Sequence, residues 1–344
     1  MAPDALTPTD PRVQHKFIPI PGTDITYHCL LATPSGGSKP RATILLIHGF
    51  PDIALGWRYQ VPYLLSLNLR VIVPDMLGYG QTSAPMAREV YTYKNMCTHM
   101  AHIVKTIVDR PGEKVLLGGH DWGGYTAWRL AMWYPELFLS VFSFAVHFTP
   151  PTRRLVTVDD LLKILPSLAY QKQLIAPDLE AALGKDPREI RQFLNALYNG
   201  QPGHHVAQVN QGIDIPNLDS YGASPLMSEE MMDHFVGEYA RNGLRGPFNW
   251  YRVRDLNHED ELVFLQSSEK GQYTFKMPAM LVMADKDLAF PPEVANRQQR
   301  FFEKGLKQHL IEDCSHWIMI ERPEEANRLI GEFVEMVLGD KAKL

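Results

Sequence analysis

Largely apolar runs of strand length recur along this chain at Ala42–Ile47, Val71–Val73, Val115–Leu117, Leu139–Val146, Ala279–Ala284 and His309–Ile311. Runs that do not alternate with polar residues predict strands buried on both faces of a mainly parallel sheet. Between them the period lengthens. Met96, Met100, Ile103, Val104 and Ile107 recur at helical spacing until Pro111-Gly112, and a second helical segment follows from Tyr125 to Tyr134, closed near Pro135. Nearer the start, Lys16–Ile20 and Asp24–Leu31 read as two strands joined by a turn at Pro21-Gly22, with a loop of turn formers from Pro34 to Pro40. The alternation of strand and helix predicts an α/β protein with a mostly parallel, doubly wound sheet.

The pattern changes at Pro150-Pro151. From there to about Asn257 the chain offers helical segments at Asp159–Leu165, Pro187–Tyr198 and Ser228–Asn242 and no convincing buried strand. This predicts a helical cap, residues 150–257, inserted into a core made of residues 1–149 and 258–344. The last helix begins at Pro323, with Glu324 and Glu325 in its first turn and Leu329, Ile330, Phe333 and Val334 as its apolar face.

Composition narrows the classes. With 344 residues, 45% hydrophobic and 21% charged, the chain reads as a soluble globular protein with a sizeable core. A net charge of −5 and the lack of a basic run exclude a nucleic-acid surface. No stretch approaches the roughly 18 apolar residues that span a bilayer, so no stable membrane insertion is expected. Cys29, Cys97 and Cys314 match no zinc or redox spacing, and the first dozen residues lack a signal-peptide pattern. Both point to a reducing, cytoplasmic setting. Ala342-Lys343-Leu344 is close to the Ser-Lys-Leu peroxisomal address and offers the alternative.

The candidate chemistry centres on Gly119-His120-Asp121-Trp122-Gly123, which links an apolar strand to an amphipathic segment. This is a nucleophile elbow with aspartate where serine usually sits. Asp121 has a second reading, as the cap of the following helix. Gly78-Tyr79-Gly80-Gln81-Thr82-Ser83 superficially suggests a dinucleotide loop, but the third glycine is missing and no amphipathic helix opens on it. Reactive residues are expected where the strands end. Asp121, Asp287 and His316 follow one another in the order nucleophile, acid, base, the chain order of the α/β-hydrolase triad. Asp285 is a rival for the acid.

An aspartate nucleophile restricts the reaction. A carboxylate displaces a leaving group from saturated carbon and forms an alkyl ester on the enzyme. Water activated by His316 would then attack the aspartate's own carbonyl, with the oxyanion held by the backbone amides of Phe50 and Trp122. A departing halide needs indole or amide donors; an epoxide oxygen needs an acidic hydrogen bond, for which a phenol is suited. Tyr170 and Tyr251 lie in the cap segment. His147 ends a strand and reads equally as a pocket residue or a structural histidine. His204-His205 and His258-Glu259-Asp260 have no partner at a metal-ligand spacing and read as solvated polar groups, so no metal or organic cofactor is expected.

Four stretches together resemble the soluble epoxide hydrolases of the α/β-hydrolase fold: His48-Gly49-Phe50-Pro51, Gly119-His120-Asp121-Trp122-Gly123-Gly124, Arg245-Gly246-Pro247-Phe248-Asn249-Trp250-Tyr251-Arg252 and Glu312-Asp313-Cys314-Ser315-His316-Trp317. The similarity runs from about Phe17 to Leu338. It implies Asp121 as nucleophile, Asp287 and His316 as the charge-relay pair, Tyr170 and Tyr251 as donors to the epoxide oxygen, and Phe50 and Trp122 as the oxyanion hole. It also implies epoxide and water as substrates, without the amino-terminal phosphatase domain of the larger animal members. A cap rich in Leu, Met, Phe and Tyr suits a lipophilic epoxide. The shared elbow leaves a haloalkane or haloacid dehalogenase, and a noncatalytic small-molecule receptor, as alternatives.

Overall fold

The computed structural model describes all residues except 1–2, 37–38, 109, 111, 200–211, 267–272 and 342–344. His204-His205 and the carboxy-terminal tripeptide therefore lie outside the described residues. The eight strands are β1 Val13–Pro19, β2 Thr26–Ala32, β3 Ala42–Ile47, β4 Leu69–Pro74, β5 Val115–His120, β6 Phe138–Phe144, β7 Ala279–Ala284 and β8 Leu306–Ile311. They form one sheet in the order β1-β2-β4-β3-β5-β6-β7-β8. The β1–β2 and β2–β4 pairs are antiparallel and every other pair is parallel.

The apolar runs of the sequence account for this layering. Every residue of β3, β5 and β7 is buried, as a strand covered by helices on both faces requires. At the edge, β8 instead buries only its end residues Leu306 and Ile311 and exposes Lys307, Gln308 and Leu310. The flanking helices of the core are α1 Gln60–Ser66, α2 Tyr93–Ile107 and α3 Trp122–Trp133. Thr92 caps α2 by accepting from the Asn95 amide at 3.3 Å.

Between β6 and β7 the chain is helical among the described residues: α4 Val158–Ile164, α5 Tyr170–Ile175, α6 Pro177–Leu183, α7 Pro187–Leu197, α8 Glu229–Asn242, α9 Arg245–Asn249 and α10 Arg254–Gln266. The short α11 Ile318–Glu321 and the long α12 Pro323–Lys341 close the core. Thr157 and Asp160 make a reciprocal capping box at α4, and Ser228 caps α8. Hydrogen bonds tie the insertion to the strand ends: Tyr239 donates to the Pro51 carbonyl at 2.7 Å, Trp250 to Leu77 at 2.9 Å, and core Trp317 to Leu197 at 3.1 Å. Helix α10, which runs across residue 257, is fastened to α3 by the Arg129–Glu261 pair at 2.9 Å. Among the described residues no helix is long and apolar enough to cross a membrane.

Candidate active site

Asp121 sits where β5 turns into α3, with φ +54° and ψ −125°. That backbone conformation is costly for a non-glycine residue and holds the carboxylate at the apex of the turn. Two glycines make the turn possible. A Cβ on Gly119 would lie 2.2 Å from the Gly123 carbonyl oxygen, and one on Gly123 would lie 2.1 Å from that of Ile47. No other residue type fits either position without moving backbone. Asp121 makes no side-chain cap to α3. Its Oδ1 instead accepts from the Phe50 amide at 2.9 Å, across the gap between β3 and β5.

The Phe50 amide is itself held in place from below. His48 Nε2 accepts from the Met76 amide at 2.9 Å, and its Nδ1 donates to the Gly49 carbonyl at 2.9 Å. Burial pushes this imidazole down to about 4, so it stays neutral and keeps one donor and one acceptor.

His316 bridges two carboxylates. Its Nε2 lies 3.4 Å from Asp121 Oδ2 and its Nδ1 lies 2.8 Å from Asp287 Oδ2. Asp287 is fixed in turn by the Ala289 and Phe290 amides, which donate to its Oδ1 at 2.9 and 3.0 Å. Asp285 is placed elsewhere: it is exposed, and its Oδ1 accepts from the Cys314 amide at 3.1 Å. Burial opposes a charged imidazole, but Asp287 and Asp121 outweigh it and push His316 up to about 10. Burial likewise opposes the Asp121 carboxylate, yet its bond to His316 and the nearby amide of Trp122 hold its pKa below the ordinary value. His120 completes the setting: its ring lies 4.8 Å from that of His316, and its Nε2 donates to the His316 carbonyl at 2.9 Å. Its only signal in the sequence was adjacency to Asp121.

Above the carboxylate lies a cavity of about 380 Å³, lined by Asp121, Trp122, His147, Tyr170, Trp250 and Tyr251 among others. A smaller one of about 70 Å³ adjoins the same centre from the other side, and Asp121 and Tyr170 line both. The Tyr170 and Tyr251 rings meet edge to face at 6.3 Å. Tyr251 is further framed by Trp122 at 4.9 Å and Phe50 at 5.5 Å. Burial, then the Asp121 charge, raises Tyr170; burial, then Tyr170 and Asp121, raises Tyr251, so both phenols keep their protons. His147 lines the larger cavity and burial lowers it to about 4.

The fold thus gathers Asp121, Asp287, His316, Tyr170, Tyr251, Phe50, Trp122 and His147 at one place. It also adds residues that periodicity did not single out. His258, read from the sequence as solvated, lines the cavity together with Gln171, Arg129, Arg254 and Glu261. Its neighbours do face outward: Glu259 is exposed and Asp260 pairs with Lys94 at 3.1 Å. Among the described residues, no three His, Cys, Asp or Glu side chains are grouped to hold a metal.

The chain is similar to known proteins over most of its length. The alpha/beta hydrolase fold family matches residues 42–323. The chain is 48% identical over 345 residues to a Neurospora crassa protein named Epoxide hydrolase srdG, covering 98% of this chain and all of that one. It is 32% identical to the mouse Bifunctional epoxide hydrolase 2, over 87% of this chain and 52% of that longer protein. The crystal structure of epoxide hydrolase VrEH1 from Vigna radiata superposes with a TM-score of 0.77 over 94% of this chain and 98% of that one, at 24% identity. With a matching fold pattern over most of its length and a full-length relative at 48% identity, this chain belongs to the epoxide hydrolases of the alpha/beta hydrolase fold.

Proposed function

We propose that this hydrolase opens epoxides to vicinal diols through an ester on Asp121. The observation that carries the reading is one continuous chain of contacts, from Phe50 N–H to Asp121, His316 and Asp287, facing two protonated phenols across a cavity. In the first step an Asp121 oxygen bonds to an epoxide carbon and the carbon–oxygen bond breaks. The departing oxygen takes a proton from Tyr170 or Tyr251, which solvent then reprotonates. The residue 150–257 insertion serves as the cap that brings these phenols over the nucleophile.

Ester formation changes the electrostatics of the second step. Asp121 becomes neutral, so His316 loses one of the two carboxylates that raise its pKa, releases its proton to solvent and acts as a base. Water then adds to the Asp121 carbonyl carbon and gives its proton to His316. The tetrahedral oxyanion is met by the Phe50 and Trp122 amides; its collapse releases the diol oxygen, which takes that proton from His316, and Asp121, left as the acid, then passes its own proton to His316. Asp287 holds His316 in the required tautomer through Nδ1.

The small-molecule partners are therefore an epoxide and water, the epoxide lipophilic where it meets Leu161, Leu165 and Val294 of the cavity wall. A cytoplasmic setting, or a peroxisomal one through Ala342-Lys343-Leu344, remains part of this proposal. Single-turnover hydrolysis in heavy-oxygen water tests the mechanism. The expected diol carries an unlabelled oxygen from Asp121, and mass spectrometry finds the label in the protein. Label passing straight into the diol would exclude the ester, and halide release from a haloalkane without diol formation from an epoxide would exclude the substrate class.

A further inference from the structure

Helix α4, on the wall of the larger cavity, has no core of its own. Four of its seven residues are apolar, yet none of the seven is buried. A helix this short draws little stability from its own hydrogen bonds, and its capping box fixes only where it starts. The segment is anchored just beyond the helix, where Leu168 is 1% exposed and Ser167 donates to the Ala289 carbonyl at 3.3 Å. Leu161, Ile164 and Leu165, spaced i, i+3 and i+4, line the cavity, as do Leu155 and Val156 ahead of the helix. Leu161 and Leu165 are half-buried, but Ile164 is 75% exposed, more than any other large apolar side chain among the described residues. The apolar lining of the cavity therefore continues onto the outer surface at Ile164.

Cations surround this apolar exit. From Thr149 to Lys172 the chain carries Arg153, Arg154, Lys163 and Lys172 against Asp159 and Asp160, a local excess of positive charge in a chain whose net charge is −5. Arg153 is exposed, and Arg154 and Lys163, each about three-quarters exposed, share the single carboxylate of Asp160 at 2.8 and 3.2 Å. Ion pairs so exposed are weak and leave the cations free to meet other anions. An apolar patch rimmed by cations suits a partner that is oily within and anionic at its surface. We propose that residues 152–165 dock reversibly on a phospholipid bilayer with anionic headgroups, so that an epoxide dissolved in the bilayer enters the cavity past Ile164 without crossing water. Contact of this kind is peripheral: α4 lies among the headgroups, far too short to span them. The docking itself stands on the cavity mouth and its charges; its use in delivery rests on the proposed opening of a lipophilic epoxide at Asp121.

The test is flotation of the full chain with phosphatidylcholine vesicles, with and without phosphatidylserine. Wild-type protein is expected to float with the anionic vesicles at low salt, to be released as salt rises, and to leave the neutral vesicles alone. The double variant Arg153→Glu, Lys163→Glu should bind the anionic vesicles roughly thirtyfold more weakly or less still, the effect of losing two cations beside an anionic surface. Ile164→Ser should weaken the same binding through the apolar contact. Because α4 buries none of its residues, these substitutions leave the core untouched, which circular dichroism checks. In turnover, the ratio of rates for an epoxide held in the vesicles and a small water-soluble one should rise with phosphatidylserine in the wild type and stay flat in the double variant. Absence of flotation, or flotation that survives both sets of substitutions, overturns the docking face. A dimer in size-exclusion chromatography that the same substitutions dissociate gives the face to a second copy and overturns it equally. Vesicle binding without hydrolysis of any epoxide would fault the reaction at Asp121 and leave the docking standing; hydrolysis of the soluble epoxide with no vesicle binding would do the reverse.

Discussion

The core and the cap hold their share of the site in different ways. In the core, backbone does the positioning: a strained φ at Asp121, two glycines that let strand and helix touch, and main-chain amides at Phe50, Ala289 and Phe290 that meet carboxylate oxygens at 2.9, 2.9 and 3.0 Å. In the cap, side-chain packing does it. Tyr251 stands in a cage of Phe50, Trp122 and Tyr170 rings, and short helices are tied down by single bonds such as Trp250 to Leu77. Backbone geometry tolerates no drift, as the proposed attack of Asp121 on one carbon would require. Ring packing leaves the wall above free to vary with the substrate.

Four measurements would break or sharpen this contrast. The largest effect is expected in the core. Asp121→Ala should reduce kcat by about four orders of magnitude or more, as loss of a covalent nucleophile commonly does. His316→Gln should be comparably inactive in multiple turnover but should still accumulate a stable adduct at Asp121, visible by intact-protein mass. Equal inactivity with no adduct from a reactive epoxide would mean that the two residues do not act in successive steps.

A smaller loss is expected in the cap. Tyr170→Phe or Tyr251→Phe alone should slow ester formation moderately, because the other phenol remains. The double variant should lose roughly 100-fold or more, the range of general-acid catalysis. Pre-steady-state rates of alkylation are the readout. A double variant as fast as wild type would leave the cap as a wall and nothing more.

The smallest effect concerns stability. His316 titrates near 10 in the folded protein against an ordinary value of 6.5, raised by Asp287 and Asp121 in spite of burial. The stability contributed by its charge is therefore fully present below about pH 6.5 and lost as pH rises through about 10. Wild-type Tm should fall more steeply across that window than the Tm of His316→Gln, by differential scanning calorimetry. Parallel curves would show that the imidazolium is not held by the carboxylates in the resting protein.

The buried strands were legible because a strand covered on both sides has little choice but to be apolar: Ala42–Ile47 and Ala279–Ala284 stand in the sheet at the predicted bounds. Helices α5, α9 and α10 were not, since they are short or polar and draw their stability from what they pack against. For the same reason His258 read as solvated. Its sequence neighbours Glu259 and Asp260 do face outward, and only the pairing of α10 with α3 through Arg129 and Glu261 turns its other face to the cavity.

What the sequence determined by itself was local or ordered along the chain: the elbow with its glycines, the strand ends that carry Asp121 and His316, and the order in which Asp121, the Asp285-Asp287 pair and His316 follow one another. Local chemistry suffices there, because a tight turn demands small residues wherever it occurs. Tertiary structure decided what depends on distance between remote segments. It brought Asp287 rather than Asp285 to within 2.8 Å of His316, set two tyrosines 81 residues apart edge to face over one carboxylate, and left Arg254 facing the cavity without an acidic partner among the described residues. Such choices are settled by packing between elements that no local pattern records.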